Sequence, residues 1–176
     1  ETPNAVLANQ FYNEANPAAH EATTGPELWE QTEGRITHFV GAAGTGGTLT
    51  GVGRYLKSKN PKIQIIAGDP QGSILAEMWR SQGEGKPEGA PYKVEGIGQD
   101  KVPGTLDMSV IDEFQTVGDK DAFSMARRLT REEGLFVGGS AGLIAHAALN
   151  VARRINDPDA LVVTFLCDTG ERYLSK

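Results

Sequence analysis

Along the 176 residues, apolar positions switch between helical spacing and the short continuous runs of buried strands. Pro3 stands where a first helical turn tolerates it, and Val6, Leu7, Gln10 and Phe11 continue a stripe to about Asn13, which predicts an opening helix. Asn16 to Thr23 predicts a loop. Thr24-Gly25-Pro26-Glu27 joins a capping residue to a helix-opening proline and predicts a short helix through Trp29 to about Thr32. Ile36 to Val40 predicts a strand that runs into the glycine-rich stretch from Gly41 to Thr48, followed by a helix from Leu49 to Ser58. Pro61 breaks the chain before a strand at Ile63 to Ala67 and a short helix at Ile74 to Trp79. Ser81 to Pro91, rich in glycine, proline and charge, predicts a surface loop.

In the second half, Glu113 to Val117 predicts a strand, and Ala122, Met125, Ala126 and Leu129 form one face of a helix reaching Glu133. Phe136-Val137 lead into Gly138-Gly139-Ser140-Ala141-Gly142 and an alanine-rich helix to about Ile155. Leu161 to Leu166 is nearly continuous in apolar residues, as a strand covered on both faces is. Strand, glycine turn and helix in repetition predict an α/β fold, a parallel-rich sheet with helices on both faces. Ligands of such sheets bind at the carboxyl ends of the strands, where three glycine-rich turns fall.

Composition narrows the function. The 22 glycines are nearly twice the usual share of about 7%. A net charge of −6 with no basic run argues against nucleic acid, whose binding needs a positive stripe to displace counterions. No apolar run is long enough for a membrane span and no signal-peptide pattern opens the chain. The single cysteine, Cys167, excludes an internal disulfide framework, and a reducing, cytoplasmic setting is expected. Glutamate at position 1 suggests a processed or truncated chain.

The turns differ in what they can carry. Gly44-Thr45-Gly46-Gly47-Thr48 opens a helix, so unpaired N–H groups and the positive end of the helix dipole converge on one spot suited to phosphate. Thr48-Leu49 stands where a P-loop needs lysine and a hydroxyl residue, and Leu49 breaks a dinucleotide fingerprint. A tight connection without ligand is the alternative. Glu95-Gly96-Ile97-Gly98 reads as a close wall beside a flat ligand or as an ordinary loop. Ser140 reads as a helix N-cap or as a hydroxyl that reaches a ring nitrogen. His20, in the expected loop, His38 in a strand and His146 on a helix have no metal-ligand spacing, so no metal site is expected. Ser140 lacks the Gly-x-Ser-x-Gly elbow, and Cys167 reads as a buried structural thiol or, before the polar turn Asp168 to Tyr173, as a residue with a crevice role.

In chain order, Asn16-Pro17-Ala18-Ala19-His20, Thr24-Gly25-Pro26-Glu27, Gly44 to Thr48, Asp69-Pro70-Gln71-Gly72-Ser73, Glu95 to Gly98, Gly138 to Gly142 and Gly170-Glu171-Arg172-Tyr173-Leu174 resemble the pyridoxal-phosphate β-replacement enzymes of fold type II, cystathionine β-synthase and cysteine synthase. The resemblance implies pyridoxal 5'-phosphate as cofactor, with Gly44, Thr45, Gly46, Gly47 and Thr48 on its phosphate and Ser140 on its pyridine nitrogen. Gly96 and Gly98 would line the cofactor and amino-acid pocket. It implies small amino-acid and thiol substrates and a homodimer in the complete enzyme. Asp69-Pro70-x-Gly72-Ser73 and Val94 to Gly98 look more like cystathionine β-synthase, which joins serine and homocysteine. Gly25 to Trp29 and Gly170 to Leu174 are equally at home in cysteine synthase, which uses O-acetylserine and sulfide. Gln99 stands where animal cystathionine β-synthases usually carry tyrosine.

In this family the lysine that forms the Schiff base lies in a Ser-x-Lys-Asp/Asn-Arg type motif upstream of all these segments. Lys57, Lys59, Lys62, Lys86, Lys93, Lys101, Lys120 and Lys176 all fall outside such a motif. Residues 1–176 are therefore expected to be the C-terminal portion of the catalytic domain, an incomplete three-layer domain. Its partner would be the lysine-bearing N-terminal half. The catalytic residue is left unassigned, and the chain alone is expected to be inactive. A non-catalytic phosphate- or partner-binding fragment is the alternative.

Overall fold

The computed structural model of the chain describes residues 2–174; Glu1, Ser175 and Lys176 lie outside the described residues. Four strands form an all-parallel sheet: β1 (His38–Ala42), β2 (Gln64–Pro70), β3 (Glu113–Val117) and β4 (Val162–Thr164), in the order β3-β2-β1-β4. Phe39 pairs with Ile65 and with Val163, which fixes the register at the centre.

Alternation along the strands divides the interior in two. Phe39, Ile65 and Phe114 point to one face, where they meet Leu49, Val52 and Leu56 of α3 (Gly47–Lys59), Leu28 of α2 (Thr24–Gln31) and Leu75 of α4 (Leu75–Arg80). Val40, Ile66 and Val117 point to the other, against Ala122 of α5 (Asp119–Glu133) and Leu143, Ile144, Ala147 and Val151 of α6 (Gly139–Arg154). The three-layer expectation holds for these residues. No helix among the described residues is long and apolar enough to cross a membrane.

Four local expectations are overturned. Residues 2–13 form turns and irregular chain, not a helix. Val6 and Leu7 are 96% and 84% exposed, so the apolar stripe has no face to pack on, and Asn4 and Asn9 take positive φ. Asn16 to Thr23 is not a loop: α1 spans Ala15–Ala22. The Asn13 side-chain oxygen accepts the Ala15 N–H at 3.0 Å, and Pro17 sits in the first turn, where a missing N–H costs nothing. The run from Leu161 to Leu166 is not a strand covered on both faces. Only Val162–Thr164 enter the ladder, half-buried at the edge of the sheet beside β1. Thr24 is also the first residue of α2 rather than its side-chain cap; its hydroxyl instead meets His20 Nδ1 at 2.9 Å.

α1 approaches α3 so closely that a methyl group on Gly51 would lie 2.2 Å from the Pro17 carbonyl oxygen and 2.7 Å from the Glu21 nitrogen. Both are backbone atoms and cannot swing aside. Gly51→Ala is expected to destabilise the chain by about 1–3 kcal/mol, the usual range for overpacking, as read from the shift of the urea unfolding midpoint.

Candidate cofactor site

β1 ends at Ala42 and α3 begins at Gly47, so the chain must reverse within Ala43 to Gly46, and it does so with Gly46 at φ +86°. Gly46 offers no side chain to cap α3. Leu106 lies over it, and a methyl group at position 46 would fall 2.5 Å from the Leu106 Cβ. Thr105 fixes the turn from below: its hydroxyl donates to the Thr45 carbonyl at 2.7 Å.

The turn containing Gly96 and Gly98 docks onto this one. Gly98 N–H donates to the Ala43 carbonyl at 2.8 Å, and Gln99 Nε2 donates to the Gly44 carbonyl at 2.9 Å. A methyl group on Gly44 would lie 2.4 Å from the Gly96 carbonyl oxygen. Gly96 and Gly98 take φ +83° and +77°, which explains glycine at both. The approach to this turn is held by Asp119, whose carboxylate accepts the Lys93 and Val94 N–H groups.

Ser140 comes to the same edge of the sheet by another route. α6 runs back along the sheet, and its Leu143 lies against Gly68 near the end of β2, placing Ser140 one turn closer to the carboxyl edge. The N-cap of α6 is Gly138, and Ser140 lies inside the first turn, so Ser140 is not the cap. Its side chain is buried, and Oγ lies 3.3 Å from Cys167 Sγ. Cys167, expected to be buried, is exposed, because β4 ends three residues before it. Local burial of the sulfur nevertheless pushes the thiol up; the Ser140 bond opposes this and the Asp168 carboxylate adds to it. Both Asp168 oxygens are buried without a hydrogen-bond partner among the described residues. Tyr173 lies near enough for the Asp168 carboxylate to disfavour loss of its proton, without well-formed hydrogen-bond geometry between them, and the phenol is pushed up to about 12. A cleft of about 690 Å³ opens between Glu95, Phe123, Phe136, Gly138 and Tyr173, and the Gly44 to Thr48 turn is not among its walls.

The first turn suits a phosphate. It presents backbone N–H groups at the start of a 13-residue helix together with two half-buried threonines, and the segment Gly44 to Thr48 carries no carboxylate. Its two threonine hydroxyls meet residues of α1. Asn16 Nδ2 donates to Thr45 Oγ1 at 2.8 Å, and His20 Nε2 lies 3.3 Å from Thr48 Oγ1. Burial lowers the pKa of His20, which keeps the ring neutral near pH 7. Asn16, His20, Thr105 and Asp119 were not identified as site residues from sequence. The first two were hidden by the loop expectation, although an asparagine and a histidine four apart share a helix face.

A family description, "Pyridoxal-phosphate dependent enzyme", matches residues 1–168. The chain belongs to this family. It is 44% identical to a cystathionine beta-synthase of Apis mellifera over all 176 of its residues, which is 34% of that protein. It is 42% identical to cysteine synthase A of Salmonella typhi over 97% of this chain and 53% of that one. A solved O-acetylserine dependent cystathionine beta-synthase from Helicobacter pylori superposes with a TM-score of 0.88 at 39% identity, covering 99% of this chain and 54% of the other. The chain thus spans between a third and about half of these relatives' lengths, and both kinds of β-replacement enzyme are among its relatives.

Gly44→Ala is expected to force the two docked turns apart and weaken pyridoxal-phosphate binding about tenfold or more, the equivalent of roughly 1–3 kcal/mol of overpacking. Gly89→Ala, where an added methyl group meets nothing closer than 3.5 Å, is expected to leave it unchanged. Cofactor titration by absorbance compares the two.

Proposed function

We propose that this chain is the C-terminal part of a pyridoxal-phosphate-dependent β-replacement enzyme, cystathionine β-synthase-like, that joins serine and homocysteine once a lysine-bearing N-terminal portion is supplied. The observation that carries this reading is the docking of the Gly44 to Thr48 turn on the Gly96 to Gly98 turn at the strand ends. It sets a phosphate-type donor cluster against a flat backbone wall.

In this reading Gly44 to Thr48 hold the cofactor phosphate, and Gly96 and Gly98 lie along the ring and the amino-acid pocket. Bound there, the cofactor supplies the electron sink for losing a β-leaving group. Ser140 offers the ring nitrogen a hydroxyl, which unlike a carboxylate does not hold that nitrogen protonated, so the sink is a mild one suited to elimination and replacement. The organic chemistry is the cofactor's; this part of the protein binds, orients and tunes it.

Cysteine synthase chemistry is the second reading, favoured by the Salmonella relative and by the Gly170 to Leu174 ending. The Helicobacter neighbour is titled an O-acetylserine dependent cystathionine beta-synthase, so donor and acceptor are tested separately. Cystathionine β-synthase is preferred because the motifs resembling it, Asp69 to Ser73 and Val94 to Gly98, lie on the pocket side.

The 176-residue chain alone is expected to show no turnover. Combined with the lysine-bearing portion of a relative, it is expected to convert serine plus homocysteine faster than O-acetylserine plus sulfide. The reverse preference would select cysteine synthase, and turnover by the chain alone would contradict the proposal. In the assembled enzyme Ser140→Ala is expected to weaken cofactor binding roughly three- to tenfold, the worth of one ordinary hydrogen bond, as measured by absorbance titration.

A further inference from the structure

A threonine hydroxyl has one hydrogen and two lone pairs, and which way it serves a ligand depends on what the protein takes from it. At Thr45 the protein takes only acceptor capacity. Asn16 Nδ2 donates to Thr45 Oγ1 at 2.8 Å, and the Gly47 N–H donates to the same oxygen at 3.3 Å. The amide of Asn16 cannot be turned the other way round. Its Nδ2 also donates to the Gln10 carbonyl at 2.8 Å, and a flipped amide would set oxygen against oxygen. The other end of the same amide rests on Gly47, where a methyl group would lie 1.9 Å from Asn16 Oδ1, so glycine at 47 is what admits Asn16. With both lone pairs engaged by N–H donors, the Thr45 hydrogen has no acceptor among the described residues.

From this geometry we infer that Asn16 is a positioning residue of the anion site: it turns the Thr45 hydroxyl into a donor aimed at the cofactor phosphate. The inference rests on the reading that Gly44 to Thr48 holds that phosphate. Asn16 does not touch the ligand; it acts through Thr45. A charge-assisted hydrogen bond is the stronger kind, and a donor already filled on its acceptor side is polarised further.

The test uses the 176-residue chain with pyridoxal 5'-phosphate, pyridoxal and inorganic phosphate as probes. Asn16→Ala is expected to weaken pyridoxal-phosphate and phosphate binding three- to tenfold and to leave pyridoxal binding unchanged. Asn16→Asp is expected to weaken it further, because a carboxylate takes the Thr45 hydrogen and adds negative charge. In a Thr45→Val background Asn16→Ala is expected to have no further effect. Equal losses for pyridoxal and pyridoxal phosphate, or losses that multiply in the double variant, would overturn the role of Asn16 while leaving the phosphate site standing. A wild-type chain that binds pyridoxal phosphate no better than pyridoxal would overturn both. If Asn16 variants do not fold, NMR of the wild type decides: an Asn16 Nδ2 proton shifts on adding inorganic phosphate, and this shift is absent in Thr45→Val. No shift in the wild type overturns the inference.

Discussion

Backbone here comes closer to backbone and side chain than any Cβ allows, and it does so around one short turn. Gly44 faces the Gly96 carbonyl, Gly46 lies under Leu106, and Gly47 lies under Asn16. Each glycine answers a different neighbour, and together they let three segments distant in sequence meet at the start of α3. The glycines thus first serve the protein's own packing. The cluster of donors is a consequence, since Gly46 brings no side chain to cap α3 and, beyond the Gly47 N–H that bonds Thr45 Oγ1, the N–H groups of its first turn have no helical partner.

The same close approach recurs away from the turn. α1 lies on Gly51, α5 lies on Gly142, where a methyl group would meet the Ala122 carbonyl oxygen at 2.2 Å, and Leu143 lies on Gly68. Helices thus pack closely on both faces of the sheet. Asp119 and Gln99 extend this hold to the second turn through hydrogen bonds rather than packing. The third turn is tied by the Val137 to Thr169 bridge, by the Gly170 N–H donating to the Phe136 carbonyl and by close packing of Gly139 on Phe123 and of Gly142 on Ala122. On the outer side of that region Phe136 and Leu174 are exposed.

The fold class and the position of every central strand were legible because buried parallel strands are continuous apolar runs bounded by glycine and proline. Leu161 to Leu166 misled for the same reason: an apolar run does not say how many of its residues find a partner strand. Val6, Leu7 and Phe11 misled because periodicity presumes a face to pack on. α1 was missed because it is short and carries a proline, which its first turn tolerates. At the site, the glycine turns were legible from composition, but Asn16, Thr105 and Asp119 were not. Their contribution is a hydrogen bond across 29, 60 and 26 residues of chain, and the local sequence does not say which residue each one meets. Ser140 was legible as a polar residue at a helix start, and only the structure separates it from the cap.

The central claim is that this chain holds the cofactor's phosphate cradle and that the reacting lysine comes from elsewhere. Borohydride reduction of the chain with pyridoxal 5'-phosphate, followed by peptide mapping, tests it most directly. The account predicts phosphate-dependent binding with only scattered, substoichiometric labelling of lysines. Stoichiometric labelling of one lysine of this chain would contradict it.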